Sequence, residues 1–332
     1  MKTKLLLGLT TAVGLVSAAF AQDDPLSIVY IGKNTGNPYF DSITGGFEDA
    51  CESLGCEFEF VAPATAEATS QIPFIEAQIQ RGVEVIAIAP NSPDALNQVL
   101  RQAQDAGILV LTVNGDITGS EEFRDAAILP TNFDIVGRDQ VELVGSLIGY
   151  EGQIAILSAT TEAPDQNKWI VGMNETLASD PKYANMELVA TVYGDDQPEK
   201  STTEMEALLA NYPDLRGVIA PTTVGIAAAA QVVQSRGISD QVQVTGLGLP
   251  SEMRDFIKDG TVDAFQLWSP YNQGWLVAHF VDGLTKGTIQ NEVGATFEVP
   301  NLGTITINEN NSINTQSSLT TFDINNIDDF DF

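Results

Sequence analysis

The chain is poor in the residues that metal and nucleophile chemistry draws on. Among 332 residues there are one histidine, His279, and two cysteines, Cys51 and Cys56. That is too few soft ligands for a zinc centre, so neither a metal nor another cofactor is expected. Positive charge is equally scarce: 15 Lys and Arg stand against 45 Asp and Glu, a net charge of -30. Such a surface repels phosphates and has few cations to displace counterions, which excludes nucleic acid as a partner. The same field disfavours an anionic ligand and leaves a neutral polyol indifferent. The acidity reads as solubility in a salty habitat, where salt screens the repulsion among carboxylates. After residue 21 no apolar run approaches the roughly 18 residues that a membrane-spanning helix needs, so any role at a membrane must run through a partner. Nucleotide and hydrolase motifs are missing too. There is no Gly-x-x-x-x-Gly-Lys-Ser/Thr, no Gly-x-Gly-x-x-Gly and no Gly-x-Ser-x-Gly, and Ile31 to Gly36 lacks the tight turn of either phosphate motif. His279 falls in a helical run and is expected to be packed or at the surface.

The amino terminus has the layout of a cleaved secretory signal. Lys2 and Lys4 precede an apolar stretch from Leu5 to Val16, and Ala19-Phe20-Ala21 is a small-x-small cleavage site. A mature, soluble, periplasmic chain is expected to begin at Gln22, with no Cys there to carry a lipid. In that oxidising compartment Cys51 and Cys56 are disulfide candidates, a local staple between a helix and the next strand.

About 310 mature residues exceed what one core serves, which favours two domains. From Leu26 the chain alternates short β-branched runs with helical stretches, the signature of parallel βαβ units. The first set has strands at 27–31, 58–62, 85–89 and 109–113, with helices at 39–54, 66–80 and 94–106. The second has strands at 153–158, 186–193, 217–221 and 242–246, with helices at 167–177, 200–211 and 226–235. A strand at 264–268, a helix at 275–285 and a β-rich tail at 297–307 are too few for a third domain. The expected fold is therefore α/β, two doubly wound parallel-sheet lobes joined by a hinge. Residues 27–130 plus 270–290 form the first lobe, and 131–269 plus 291–332 the second.

Doubly wound sheets bind ligands at the carboxyl ends of their strands. That rule selects residues 33–40, 90–92 and 114–116 in one lobe, and 159–166, 221–223, 248–251 and 268–273 in the other. A polyhydroxylated ligand needs donors and acceptors in a plane, and rings against its C–H faces. Lys33, Asn114, Asp116, Asp165 and Gln166 supply the polar groups, while Phe40, Trp169 and Trp268 supply rings. Asp116 and Asp165 could also form the carboxylate pair of a secreted glycoside hydrolase. Binding is the preferred reading.

Six segments carry a resemblance to a known family: Asn37-Pro38-Tyr39-Phe40, Ser92-Pro93-Asp94-Ala95-Leu96, Asp165-Gln166-Asn167-Lys168-Trp169, Thr191 to Asp196, Ala220 to Gly225 and Gly246 to Met253. On these the chain from Leu26 to Phe332 resembles periplasmic sugar-binding proteins of the ribose-binding class (type I), in the branch that holds rhamnose-binding and autoinducer-2-binding (LsrB-like) receptors. The resemblance implies a monomeric hinge-bending receptor without catalysis, which captures a small sugar such as a rhamnose-like deoxyhexose and docks on an ABC transporter permease. Autoinducer-2 import and handover to a sensor kinase stand as alternatives. Lys33, Asp165, Gln166 and Pro221 match the contact positions of the autoinducer-2 receptors, whereas Asn114 replaces an Asp and Thr223 an Ala. In the expected roles Lys33 donates, Asp165 and Asn114 accept from hydroxyls, and Trp268 or Phe40 covers the apolar face. Hinges are expected near Thr131, at 268–270 and at 287–291.

Overall fold

A computed structural model of the protein describes residues 25–332, so the expected signal at 1–21 lies outside the described residues. The first lobe opens with β1 (Ser27–Ile31), α1 (Pro38–Leu54), β2 (Glu57–Val61), α2 (Ile72–Arg81), β3 (Val85–Ile88), α3 (Asn97–Asp105), β4 (Leu109–Val113) and β5 (Ala126–Leu129). The second lobe follows with α4 (Phe133–Ile148), β6 (Glu151–Ser158), α5 (Pro164–Ser179), β7 (Asn185–Tyr193), α6 (Pro198–Asn211), β8 (Leu215–Ala220), α7 (Thr223–Arg236), β9 (Gln243–Gly246), α8 (Pro250–Lys258) and β10 (Ala264–Leu267). The chain then adds α9 (Tyr271–Thr285), β11 (Thr296–Val299), β12 (Gly303–Thr306), β13 (Ser312–Asn314) and β14 (Thr320–Asp323).

Each lobe is a parallel sheet, ordered β13-β5-β4-β3-β1-β2 in the first and β7-β6-β8-β9 in the second. Antiparallel β10–β14 extends the second sheet through a bridge from Leu247 to Gln266. The central strands β3 and β8 are buried almost throughout, as expected of strands covered by helices on both faces. Helix starts follow the sequence chemistry. Asn37 caps α1 by accepting from the Tyr39 N–H at 3.0 Å, Pro38 occupies the first helical position, and Gly55 ends the helix at φ 78°. The expected start of α2 at residue 66 moves to Ile72, where Pro73 suits the first turn. The sequence pattern leaves β5, α4, α8, β13 and β14 unassigned.

Three segments link the lobes, two from strand to helix (β5 to α4 and β10 to α9) and one from β13 to β14, and they lie side by side. Thr315 donates from its hydroxyl to the Pro130 carbonyl (2.8 Å), the Gln316 N–H reaches the same oxygen (3.2 Å), and the Ser269 N–H donates to Gln316 Oε1 (3.2 Å). The expected assignment of 291–332 to the second lobe is corrected by this arrangement. Residues 291–315 belong with the first lobe, because β13 pairs in parallel on the open edge of β5 and satisfies its backbone groups. Phe297 packs against Phe280 of α9, and Asn291 donates to the Asp125 carbonyl. Only the segment from β14 onward returns, where the Ser251 N–H bonds the Phe332 carbonyl. The third crossing is therefore at 315–318 rather than 287–291.

Close helix packing brings the site elements together. A Cβ added to Gly46 of α1 would lie 2.0 Å from the Tyr271 carbonyl oxygen, and one on Gly274 of α9 would lie 2.1 Å from that of Ile43. Cys51 and Cys56 are joined in a disulfide at the end of α1. His279 packs at 4.7 Å from the Trp275 ring on α9, with no partner at its buried Nε2. Among the described residues no helix is long and apolar enough to cross a membrane.

Gly46→Ala is expected to lower the free energy of unfolding by about 3 kcal/mol or more, because backbone and not a flexible side chain blocks the new methyl. Urea denaturation measures it. Burial pushes the His279 pKa below 6.5, with Asp282 pulling the other way. The neutral form is favoured in the folded state, so this contribution is complete above pH 6.5 and declines as the pH falls through that value, where the unfolded chain protonates first. The lone imidazole signal in an NMR titration should show a midpoint below 6.5, and His279→Phe should remove that part of the pH dependence of stability.

Candidate functional site

The carboxyl ends of both sheets face each other across a cavity of about 370 Å³, its mouth included. Every expected contact residue except Asp116 lines it: Lys33, Phe40, Asn114, Asp165, Gln166, Trp169, Pro221, Thr223 and Trp268.

Lys33 follows β1 and Asp165 sits in the first turn of α5, where the helix dipole favours a negative charge. The ammonium reaches both carboxylate oxygens at 2.7 and 2.8 Å, and the two side chains are only 8% and 2% exposed. This ion pair spans the cleft from one lobe to the other. Gln166 turns its carboxamide oxygen to the Ser158 hydroxyl (2.6 Å) and the Ala159 N–H (2.8 Å), which leaves its NH2 to donate. Asn114 follows β4 at φ 67°, a left-handed conformation that Asn tolerates. Its Nδ2 lies 3.5 Å from Asp165 Oδ2, and its Oδ1 accepts from the Tyr39 hydroxyl at 2.5 Å. Asn114, expected as an acceptor, thus spends one lone pair of its oxygen on Tyr39 and turns its NH2 toward Asp165.

Tyr39 is a member of the site that the residue-by-residue reading missed, though it lies inside the selected segment 33–40. Its oxygen accepts from Trp268 Nε1 (2.7 Å) and Gln273 Nε2 (2.9 Å). Burial raises its pKa far above that of an ordinary phenol, against the lowering effect of those two donors. Asn37 and Asp196 form a second link across the cleft at 2.8 Å, and Asp196 also accepts from the Thr222 hydroxyl at 2.6 Å. Asp196 follows β7, a strand that was recognised but whose carboxyl end was not examined. Extending the strand-end rule to β7 would have found it.

The walls are apolar. The Trp169 and Trp268 rings meet at 5.6 Å and 60°, Phe133 stands edge-on to Trp169 at 5.2 Å, and Phe40 stands edge-on to Tyr39. Leu247 and Leu267 complete the lining. The Trp169 indole N–H is buried and without a protein partner, a donor that a ligand oxygen in the cavity could satisfy.

Asp116 is the one expected contact residue that stands apart. Arg124 holds both of its oxygens at 2.6 Å, and the Thr112 hydroxyl and Ile117 N–H complete its shell. A fork-to-fork pair of this kind fixes the loop after β4. The carboxylate pair proposed for glycoside hydrolysis thereby loses one member, since Asp116 is committed to a guanidinium and does not line the cavity. Two carboxylates and one ammonium line the cavity, an excess of one negative charge that repels anionic ligands. Among the described residues no group of three His, Cys, Asp or Glu side chains is placed to hold a metal ion.

Residues 28–289 match the family model described as a periplasmic binding protein domain. Among solved structures, a sugar ABC transporter protein from Actinomyces odontolyticus is 41% identical with a TM-score of 0.74, over 92% of this chain and 98% of that one. An ABC transporter solute-binding protein from Clostridium phytofermentans with bound L-rhamnose is 33% identical with a TM-score of 0.87, over the same shares of 92% and 98%. A curated relative, the xylose/arabinose-binding protein XylF of Sulfolobus acidocaldarius, is 25% identical over 75% of this chain, and the match spans 63% of that protein's length.

Arg124→Met should destabilise the protein by about 3–5 kcal/mol, because it leaves the Asp116 carboxylate nearly buried without its cation. The unfolding midpoint in urea reports it. A change under about 0.5 kcal/mol, the usual range for an exposed surface substitution, would mean that the pair is not structural.

Proposed function

The chain belongs to the periplasmic binding protein family, and from that premise we propose that it captures a small neutral sugar, with a 6-deoxyhexose of the L-rhamnose type as its cargo, for an ABC transporter permease. The family is one of binding proteins and not of enzymes, and it implies the periplasm as the compartment. The observation that carries the reading is the cross-cleft set Lys33, Asp165 and Asn114 beside the Trp169 and Trp268 rings. Donors, acceptors and rings lining one cavity suit a pyranose, which has a hydroxyl edge and a C–H face. Leu247, Leu267 and Phe40 offer an apolar wall for the methyl group of a deoxyhexose. The solved relative with bound L-rhamnose supports the choice of this sugar.

Mechanistically, the ligand enters between separated lobes and meets groups from both. Lys33, the Gln166 NH2 and the Trp169 N–H donate to its oxygens, while Asp165 accepts from its hydroxyls. Because these groups come together only when the lobes close, the sugar binds the closed form more tightly and shifts the population toward it. The permease would then read the closed surface.

L-Rhamnose at saturating concentration is expected to raise the melting temperature of the mature protein in a concentration-dependent way. Asp165→Asn should weaken its affinity about tenfold or more by calorimetry, since it removes a charge-assisted acceptor. Asp116→Asn should leave the affinity within about twofold, the size expected of a residue that does not face the ligand. A shift with autoinducer-2 alone would replace the sugar by that signal. Silence with L-rhamnose, L-fucose, D-ribose and D-xylose alike would overturn the reading.

A further inference from the structure

Tyr39 has the hydrogen-bonding capacity of any phenol, one hydrogen to donate and two lone pairs to accept with. All three are engaged within the protein. The Trp268 indole can only donate, so it fixes one lone pair, and the Gln273 amide occupies the other. The hydrogen is then left for Asn114 Oδ1. Asp165 fixes Asn114 independently from the other side. Its carboxylate, paired with Lys33, is an acceptor only, so the Asn114 group that faces it at 3.5 Å must be the NH2. The two constraints agree. The bonds form one directional chain, in which Trp268 donates to Tyr39, Tyr39 to Asn114 and Asn114 toward Asp165, and such chains strengthen cooperatively.

We propose that Tyr39 is a specificity-determining positioning residue, which fixes the Asn114 carboxamide as a donor beside the acceptor Asp165 so that the pair reads the direction of a single ligand hydroxyl. The inference rests on the sugar reading above and deepens it. The Asn114 to Asp165 separation of 3.5 Å is long for a hydrogen bond and close enough for one oxygen to reach both. A hydroxyl there accepts from Asn114 and donates to Asp165. A ligand that offers only a donor at this point leaves the Asn114 N–H buried and unsatisfied, and one that offers only an acceptor leaves Asp165 short. The ligand class is a cyclic polyol with an oriented hydroxyl at this position. Tyr39 makes no bond of its own to the ligand, because its hydroxyl has nothing left to give.

The test is a double-mutant cycle by calorimetry on the full-length mature protein, with wild type, Tyr39→Phe, Asn114→Ala and the double variant titrated with L-rhamnose. Tyr39→Phe is expected to weaken binding about tenfold where Asn114 is present and less than about twofold in the Asn114→Ala background, since the phenol acts through the amide. It is also expected to change the ratio of affinities for L-rhamnose and L-fucose, because a freed carboxamide can turn its oxygen toward the ligand. An equal loss in both backgrounds with an unchanged ratio would overturn the inference, as it would assign Tyr39 to holding Trp268 alone. No loss in either background would overturn it as well. Melting curves of the four proteins confirm that each is folded before titration. A wild type that binds none of the four sugars named above fails at an earlier step and overturns the sugar reading itself, which separates the two results.

Discussion

The site is organised around one buried carboxylate. Asp165 lies between two lobes at 2% side-chain exposure, and a charge so placed costs several kcal/mol unless it is paired and hydrogen-bonded. Lys33 crosses the cleft to pair with it, the first turn of α5 offers its dipole, and Asn114 turns an N–H toward it. The orientation of the groups behind it then follows: Asn114 donates toward Asp165, Tyr39 donates to Asn114, and Trp268 and Gln273 both donate to Tyr39. A single acceptor-only group thus sets the polarity of a network that runs from the second lobe, through the first, to the linker at Trp268.

The same constraint explains why closure can depend on a ligand. A buried ion pair roughly balances its Coulomb gain against the cost of leaving water. Lys33–Asp165 therefore bridges the lobes without strongly committing them, and the Asn37–Asp196 hydrogen bond adds little more, since the groups of both links regain water when the cleft opens. A sugar that satisfies the Trp169 N–H and the remaining sites on Asp165 and Gln166 supplies the surplus. The adjacent linkers at 130–132, 268–270 and 315–318 bond to one another, so they are positioned to bend together while each lobe moves as a packed body.

Much of this was legible from the residues, and what was not has physical causes. Continuous β-branched runs announced the parallel sheets, and the rule that ligands bind at strand carboxyl ends located Lys33, Asn114, Asp165, Gln166 and Trp268. Asp116 was selected by the same rule and failed, since position in sequence does not reveal that Arg124, eight residues on, folds back to neutralise it. The orientation of Asn114 was hidden for a related reason: an amide has two ends, and its partners Tyr39 and Asp165, distant in sequence, turn it. Asp196 was overlooked because β7 was recognised without its carboxyl end being followed. The return of β13 to the first lobe could not be read from a three-residue strand whose pairing partner lies almost two hundred residues earlier.

Small-angle X-ray scattering of the mature wild-type protein, alone and with saturating L-rhamnose, tests the central claim that a sugar draws the lobes together around Asp165. The account predicts a smaller radius of gyration with the sugar than without it, and no such change in Asp165→Ala at the same sugar concentration. An identical scattering profile of the wild type in both conditions, with calorimetry showing the sugar bound, would contradict it.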